Sequence, residues 1–191
     1  MATAILCLAV ILLVCLLIIE KNKLKDLKQK NDELERWRKI ALVDDLTGIA
    51  NRAAYSEQIQ EIKKTKSSGA NLAIILFDID NFKQINDTEG HLEGDRILKE
   101  CAKMLTEIFS NYECCVYRIG GDEFAVIFED IQEDSVIDTL LKIKEYEEKH
   151  QDFRLSKGYS LAQGKKDFDK MFSLADEMLY ADKNSKKIAL G

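Results

Sequence analysis

Proline is missing from all 191 residues of this chain. No helix is broken by a ring that lacks an N–H, and turns must rely on glycine, asparagine and aspartate. Histidine occurs only twice, and the five cysteines include no CxxC pair. With no recurring ligand spacing, the composition argues against a zinc site. Cys7 and Cys15 lie in the apolar N-terminus, Cys101 falls on an apolar helix face, and Cys114 and Cys115 are neighbours in a strand. Strand neighbours point to opposite faces and are poorly placed to pair with each other. All five therefore read as reduced thiols. An excess of positive charge is lacking too: the formal net charge is -6, which argues against a surface that coats nucleic acid.

What is present begins with an uninterrupted apolar run from Ala4 to Ile19. At about 1.5 Å per residue such a helix just spans a bilayer core of about 30 Å. No Lys or Arg precedes the run, as a cleaved signal peptide requires. Residues 1–19 are expected to be a single transmembrane helix. Lys21, Lys23, Lys25, Lys28 and Lys30 follow it directly. The positive-inside bias then places the body of the protein in the cytoplasm, anchored in the inner membrane. Residues 20–41 read as a helical linker. With Leu24, Asn31 and Arg38 at heptad position a, Leu27, Leu34 and Ala41 fall at d. Leucine at d with a polar Asn at a favours a parallel two-stranded coiled coil, and membrane tethering promotes that pairing.

Residues 42–191 form the globular part. Asp44-Asp45-Leu46-Thr47-Gly48-Ile49-Ala50-Asn51-Arg52 reads as a break between helices, capped by Thr47 or Asp45. The next helix runs to about Lys66 and ends at Ser67-Ser68-Gly69. Leu72 to Asp80 is a near-continuous apolar strand, so a central one covered on both faces. A short turn or helix follows from Asn81, then a long helix with Ile97, Leu98, Cys101, Met104, Leu105 and Ile108 on its apolar face. Further helices are expected from Glu133 to about Lys149 and from Phe168 to about Asn184. Weaker strands are expected from Phe153 to Leu161 and at Ile188-Ala189-Leu190. The alternation implies a two-layer α/β (α+β) arrangement on a mostly antiparallel sheet.

One stretch organises this part. In Tyr117-Arg118-Ile119-Gly120-Gly121-Asp122-Glu123-Phe124-Ala125-Val126-Ile127-Phe128, apolar residues alternate on both sides of a glycine pair. The period of two marks a hairpin, and Gly120-Gly121 is expected to supply positive φ at the turn. Asp78 and Asp80 end the central strand on one side of the sheet. If the hairpin lies beside that strand, Asp78 and Asp122 converge. Acids at a strand end and a hairpin tip, next to bare glycine backbone, suit a divalent cation arriving with a polyphosphate.

Gly120-Gly121-Asp122-Glu123-Phe124, preceded by Arg118-Ile119, resembles the signature of the GGDEF diguanylate cyclases, which condense two GTP into cyclic di-GMP. Asp44 to Arg52 is similar to the D-x-L-T-G-L-x-N-R start of that family's domain, with Ile49 for Leu. Ala175-Asp176-Glu177-Met178-Leu179-Tyr180-Ala181-Asp182-Lys183 is similar to its A-D-x-A-x-Y-x-A-K helix, with Asp182 where Ala is usual. The resemblance implies a ferredoxin-like palm of the nucleotidyl cyclase type over residues 42–191. It also implies a metal site formed by Asp78, the carbonyl of Ile79 and Asp122. That site would hold two Mg²⁺, for which Mn²⁺ can substitute. Asp122 or Glu123 would help deprotonate the 3′-hydroxyl. Asn86 and Asp95 resemble the pair that reads the guanine edge, and His91 matches a position near the nucleotide. Phe82, Lys83, Gly120, Gly121, Lys183 and Lys187 complete the implied substrate contacts. The segment Leu155 to Ser160 is more polar than the family's usual strand, which puts its packing in question.

The function so implied is a membrane-anchored homodimeric diguanylate cyclase. Two GTP-loaded active sites face each other across the linker-helix dimer, and no nucleic acid is involved. The alternatives are a silent GGDEF module that binds GTP or cyclic di-GMP without turnover, and a membrane coiled-coil adaptor. Intact Gly120 to Phe124 together with Asp78, Asn86 and Asp95 disfavours the first, and the acids at the strand end and hairpin tip disfavour the second. Many family members carry an R-x-x-D motif for product inhibition just before the signature. Here those positions hold Asn111 and Cys114, which lack the guanidinium and the carboxylate, so strong product inhibition through that motif is not expected.

Overall fold

The computed structural model describes residues 1–64, 71–162 and 167–190, without the side chains of 3–12, 14, 15, 39, 189 and 190. It divides into two units, Met1–Ala41 and Leu42–Gly191. The first is one helix, α1 (Ala2–Ala41). Leu24, Leu27 and Leu34 are exposed along it, and an Asp26–Lys30 ion pair at 3.0 Å links successive turns. Among the described residues no helix is long and apolar enough to cross a membrane. The expected transmembrane anchor over 1–19 is therefore without structural support.

The second unit contains α2 (Arg52–Lys64), β1 (Leu72–Ile79), α3 (Phe82–Glu89), α4 (His91–Phe109), β2 (Cys114–Arg118), β3 (Glu123–Glu129), α5 (Glu133–His150), β4 (Leu155–Ala162) and α6 (Phe168–Leu190). The strands form one sheet in the order β2-β3-β1-β4, and every pairing is antiparallel. This is the βαββαβ connectivity of ferredoxin-like folds. The residues expected to end α2, Ser67-Ser68-Gly69, lie outside the described residues. The strand expected at Ile188-Ala189-Leu190 is instead the last turn of α6: no glycine or proline stands between Asn184 and Leu190 to stop the helix.

All eight residues of β1 are buried. Ala73, Ile75, Phe77 and Ile79 face a core built with α4 and α5, including Ile97, Leu105, Val136 and Ile143. Leu72, Ile74 and Leu76 face a second core with Tyr55 of α2 and Met171, Ala175 and Leu179 of α6. The sheet is thus covered on both faces and the unit has three layers, not two. A strand apolar at every position has two faces to bury.

The polar edge strand β4 packs through small residues. A Cβ placed on Gly158 would overlap the carbonyl of Ala175 and the backbone nitrogen of Leu179. The absent side chain lets α6 lie directly on the strand. Ser156 and Ser160 beside it are buried.

The hairpin turn differs from expectation. Positive φ among the glycines occurs at Gly48 and Gly90, not at Gly120 or Gly121. The last β2–β3 pair is Arg118–Phe124 and β3 begins at Glu123, so residues 119–122 form a longer loop that avoids the mirror-image turns of two-residue hairpins. A Cβ on Gly120 would meet the Glu123 carboxylate, the movable end of a flexible side chain, and one on Gly121 would meet nothing.

The segment from Leu42 to Arg52 folds back on itself through a Val43–Ala50 bridge, and Ala50 bridges Tyr117 of β2. Neither Thr47 nor Asp45 caps α2. The Asn51 side chain does, accepting from the N–H groups of Ala53 (2.9 Å) and Ala54 (3.1 Å). Thr47 instead donates its hydroxyl and N–H to Asp44 (2.6 and 2.9 Å), closing the turn before the helix.

Candidate functional site

β1 runs between β3 and β4, so its C-terminal end meets the hairpin tip on one side and the start of β4 on the other. Asp78 stands opposite Glu123 in β3 and opposite Ser156 in β4. The N–H of Ile79 donates to the carbonyl of Asp122 (3.2 Å). Asp78 and Asp80 follow Leu76 in parity and face α6. Lys183 of α6 reaches Asp78 at 2.6 Å, and the Asp78 side chain is only 8% exposed.

Burial pushes the Asp78 carboxyl above its ordinary range; the Lys183 hydrogen bond opposes this, and the charges of Asp122 and Glu123 reinforce it. A carboxylate kept dry among other carboxylates gains from any added cation. Among the described residues no three His, Cys, Asp or Glu gather into a metal-holding group. The arrangement fits Mg²⁺, which takes one or two carboxylates and completes its shell with substrate phosphates and water.

An open cleft of about 1040 Å³ runs from this strand end. It brings together Asp78, Ile79 and Asp122 with Phe82 and Lys83 of α3 and Lys183 and Lys187 of α6. Acids at one end and lysines from two helices around it suit a metal-bound polyphosphate. Asn86, His91, Asp95, Gly120, Gly121 and Glu123 do not line this cleft. Asn86 and Phe82 press on Gly94, where a Cβ would overlap the Asn86 amide. Asp95 is the next residue of α4, and His91 is exposed at that helix's start. Glu123 instead lines a cavity of about 170 Å³ with Arg52, Tyr55 and Asp176.

A second set of contacts ties the hairpin tip to the segment before α2. The Arg118 guanidinium donates to both oxygens of Asp44 (3.0 and 3.2 Å) and twice to the carbonyl of Gly121 (3.2 and 2.7 Å). Arg52 donates to the carbonyl of Ile119 (3.1 Å). Burial raises the Asp44 carboxyl, but hydrogen bonds from Thr47 and Arg118 outweigh it and hold the group below its ordinary value.

The family model for the diguanylate cyclase GGDEF domain matches residues 41–188. The chain belongs to the GGDEF family. It is 35% identical over 175 residues to the diguanylate cyclase DgcN of Escherichia coli, covering 81% of this chain and 43% of that one. It is 42% identical over 104 residues to the diguanylate cyclase DgcP of Pseudomonas aeruginosa, covering 54% of this chain and 15% of that one. The chain thus spans less than half the length of either relative. Its structure is similar to the coiled coil and GGDEF domain of DgcB from Caulobacter crescentus, solved in complex with c-di-GMP, with a TM-score of 0.73 and 25% identity over 86% of this chain and 92% of that one.

Within this GGDEF domain, sequence reasoning assigned no part to Asp80, Arg154, Asp182 or Lys186. Asp80, Arg154 and Lys186 line the cleft, and Asp182 pairs with Lys186 at 2.9 Å. The i,i+4 spacing of Asp182 and Lys186 was a readable signal for that pair. No local pattern links either residue to Asp80.

Proposed function

We propose that this chain is a diguanylate cyclase that condenses two GTP into cyclic di-GMP and releases pyrophosphate. The observation that carries the reading is the meeting of Asp78, at the end of β1, with the Asp122–Glu123 hairpin tip above a lysine-lined cleft. Asp78, the Ile79 carbonyl and Asp122 would hold Mg²⁺, which supplies charge stabilisation at the phosphates when bound. Lys83, Lys183 and Lys187 bind and orient the triphosphate as point charges. Phe82 packs beside it, and the bare backbone of Gly120 and Gly121 leaves room for close approach. Asn86 and Asp95 read the guanine edge, a carboxylate accepting from N1–H and N2–H while the amide donates and accepts; His91 stands nearby. Asp122 or Glu123 takes the proton from the 3′-hydroxyl. The 3′-oxygen of one GTP then bonds to the α-phosphorus of the other as pyrophosphate leaves, and the same step in reverse roles closes the ring.

One domain holds one GTP, so the reaction needs two domains face to face. The leucine heptads of residues 20–41 support a homodimer through that linker. The apolar run 4–19 and the lysines after it support an inner-membrane anchor with the domain in the cytoplasm. Incubation of the purified chain with GTP and Mg²⁺, read by mass spectrometry, tests the activity. Cyclic di-GMP that disappears in Asp122→Ala supports it; tight GTP binding without product would favour a silent receptor. Deleting residues 1–41 should make activity fall steeply on dilution, and an unrelated parallel zipper in register should restore it.

A further inference from the structure

Lys186 lines the cleft beside Lys183 and Lys187, and its charge alone would assign it to the substrate phosphates. Its surroundings say otherwise. The Nζ lies 2.6 Å from the carbonyl of Leu155, 3.2 Å from Asp80 Oδ2 and 3.4 Å from Ser156 Oγ. Asp182 Oδ2 stands 2.9 Å away. An ammonium has three N–H groups, and four oxygens already surround them.

The same acceptors are anchored in turn. Asp80 Oδ1 accepts from the Ser156 hydroxyl (2.5 Å), and the Asp80 N–H donates to the carbonyl of Arg154 (2.9 Å). Asp182 Oδ2 also accepts from the N–H of Lys157 (3.0 Å), an outward-facing group of the edge strand β4. Asp182 thereby holds Lys186 over the strand end. Asp80 lies two residues from Asp78 and lines the same cleft, so without Lys186 it would be a further carboxylate open to an incoming cation.

We propose that Lys186, tethered by Asp182, is a positioning residue that occupies Asp80 and so confines divalent-ion binding to Asp78 and the hairpin tip. The inference rests on the reading of Asp78 as a metal-binding residue. In consequence Lys183, one third exposed and among the described residues paired with Asp78 alone, is able to move between acid and phosphate. Lys186 is a fixed structural cation.

The test titrates Mn²⁺ into the full chain without nucleotide and reads the free ion by electron paramagnetic resonance. The variants are Lys186→Met, Lys186→Arg and Lys186→Met combined with Asp80→Asn, with thermal unfolding alongside. Lys186→Met should bind Mn²⁺ at least about threefold more tightly or take up one more ion, Lys186→Arg should track the parent, and Asp80→Asn should cancel the gain. An unchanged isotherm in folded Lys186→Met, or a gain that survives Asp80→Asn, overturns the proposal. Should Lys186→Met fail to fold, Asp182→Asn loosens the tether while keeping the ammonium, and the absence of any gain there is equally decisive. A parent chain that binds no Mn²⁺ even with GTP present, while Lys186→Met gains it through Asp80, shows that Lys186 occupies Asp80 but refutes the Asp78 reading and, with it, the proposed confinement.

Discussion

Asp78→Asn should separate what the site costs from what it does. The carboxylate is 8% exposed and answered by one lysine at 2.6 Å, with Glu123 opposite it in register. Burial, aided by the Asp122 and Glu123 charges, raises its pKa above the ordinary 3.8. A carboxyl whose folded pKa is raised favours folding fully only below its unfolded pKa. That contribution is lost as pH rises through the folded pKa. At neutral pH the ionised group therefore destabilises the domain. An amide of the same shape removes that cost, and Lys183, one third exposed, can turn to water. Stabilising substitutions of the ordinary kinds each commonly gain about 0.5–2 kcal/mol, and about 1 kcal/mol here would raise Tm by about 2–4 °C in a domain of this size. Activity should fall at least about a hundredfold, since even outer partners of a metal site are worth about 10–100-fold. The assay is thermal unfolding of parent and variant in a chelator, from pH 4 to pH 8, with turnover measured separately. The variant's advantage should be near zero at pH 4 and grow toward neutrality. A variant less stable at pH 7, or a difference independent of pH, would refute the argument.

Three further outcomes are expected. Gly158→Ala should destabilise the domain by about 1–3 kcal/mol, the usual cost of overpacking, because its methyl meets the α6 backbone; urea unfolding measures this. Arg118→Met should cost about 1–3 kcal/mol by stranding Asp44 and the Gly121 carbonyl. Because the Asp44 pKa is lowered in the folded protein, that deficit should be full at neutral pH and shrink as pH falls through the acid range. Cyclic di-GMP added to the turnover assay should not inhibit strongly through Asn111 and Cys114, the first exposed and the second donating its thiol to the Phe109 carbonyl; potent non-competitive inhibition abolished by changing either residue would show otherwise.

How much of this was readable in advance depends on the range of the interaction. The β1 strand, the β2–β3 hairpin and the apolar face of α4 were legible because burial imposes a period of 2 or 3.6 on consecutive residues. The signature acids were legible because five adjacent residues carry them. Helix ends and turn conformations were less so: Asn51, not Thr47, caps α2, and neither Gly120 nor Gly121 takes a positive φ, since each depends on which hydrogen bond wins locally. That β1 is covered on both faces was legible from its unbroken apolar run, but which helices supply the two outer layers and which polar groups meet was not. Asp44 and Arg118 are 74 positions apart, and Asp80 and Lys186 are 106 apart. An unpaired charge in the sequence does not say which distant charge it will meet. Only when α6 settles on β4, admitted by the missing side chain of Gly158, are Lys183 and Lys186 brought to Asp78 and Asp80. One lysine is left able to move and the other is surrounded by acceptors.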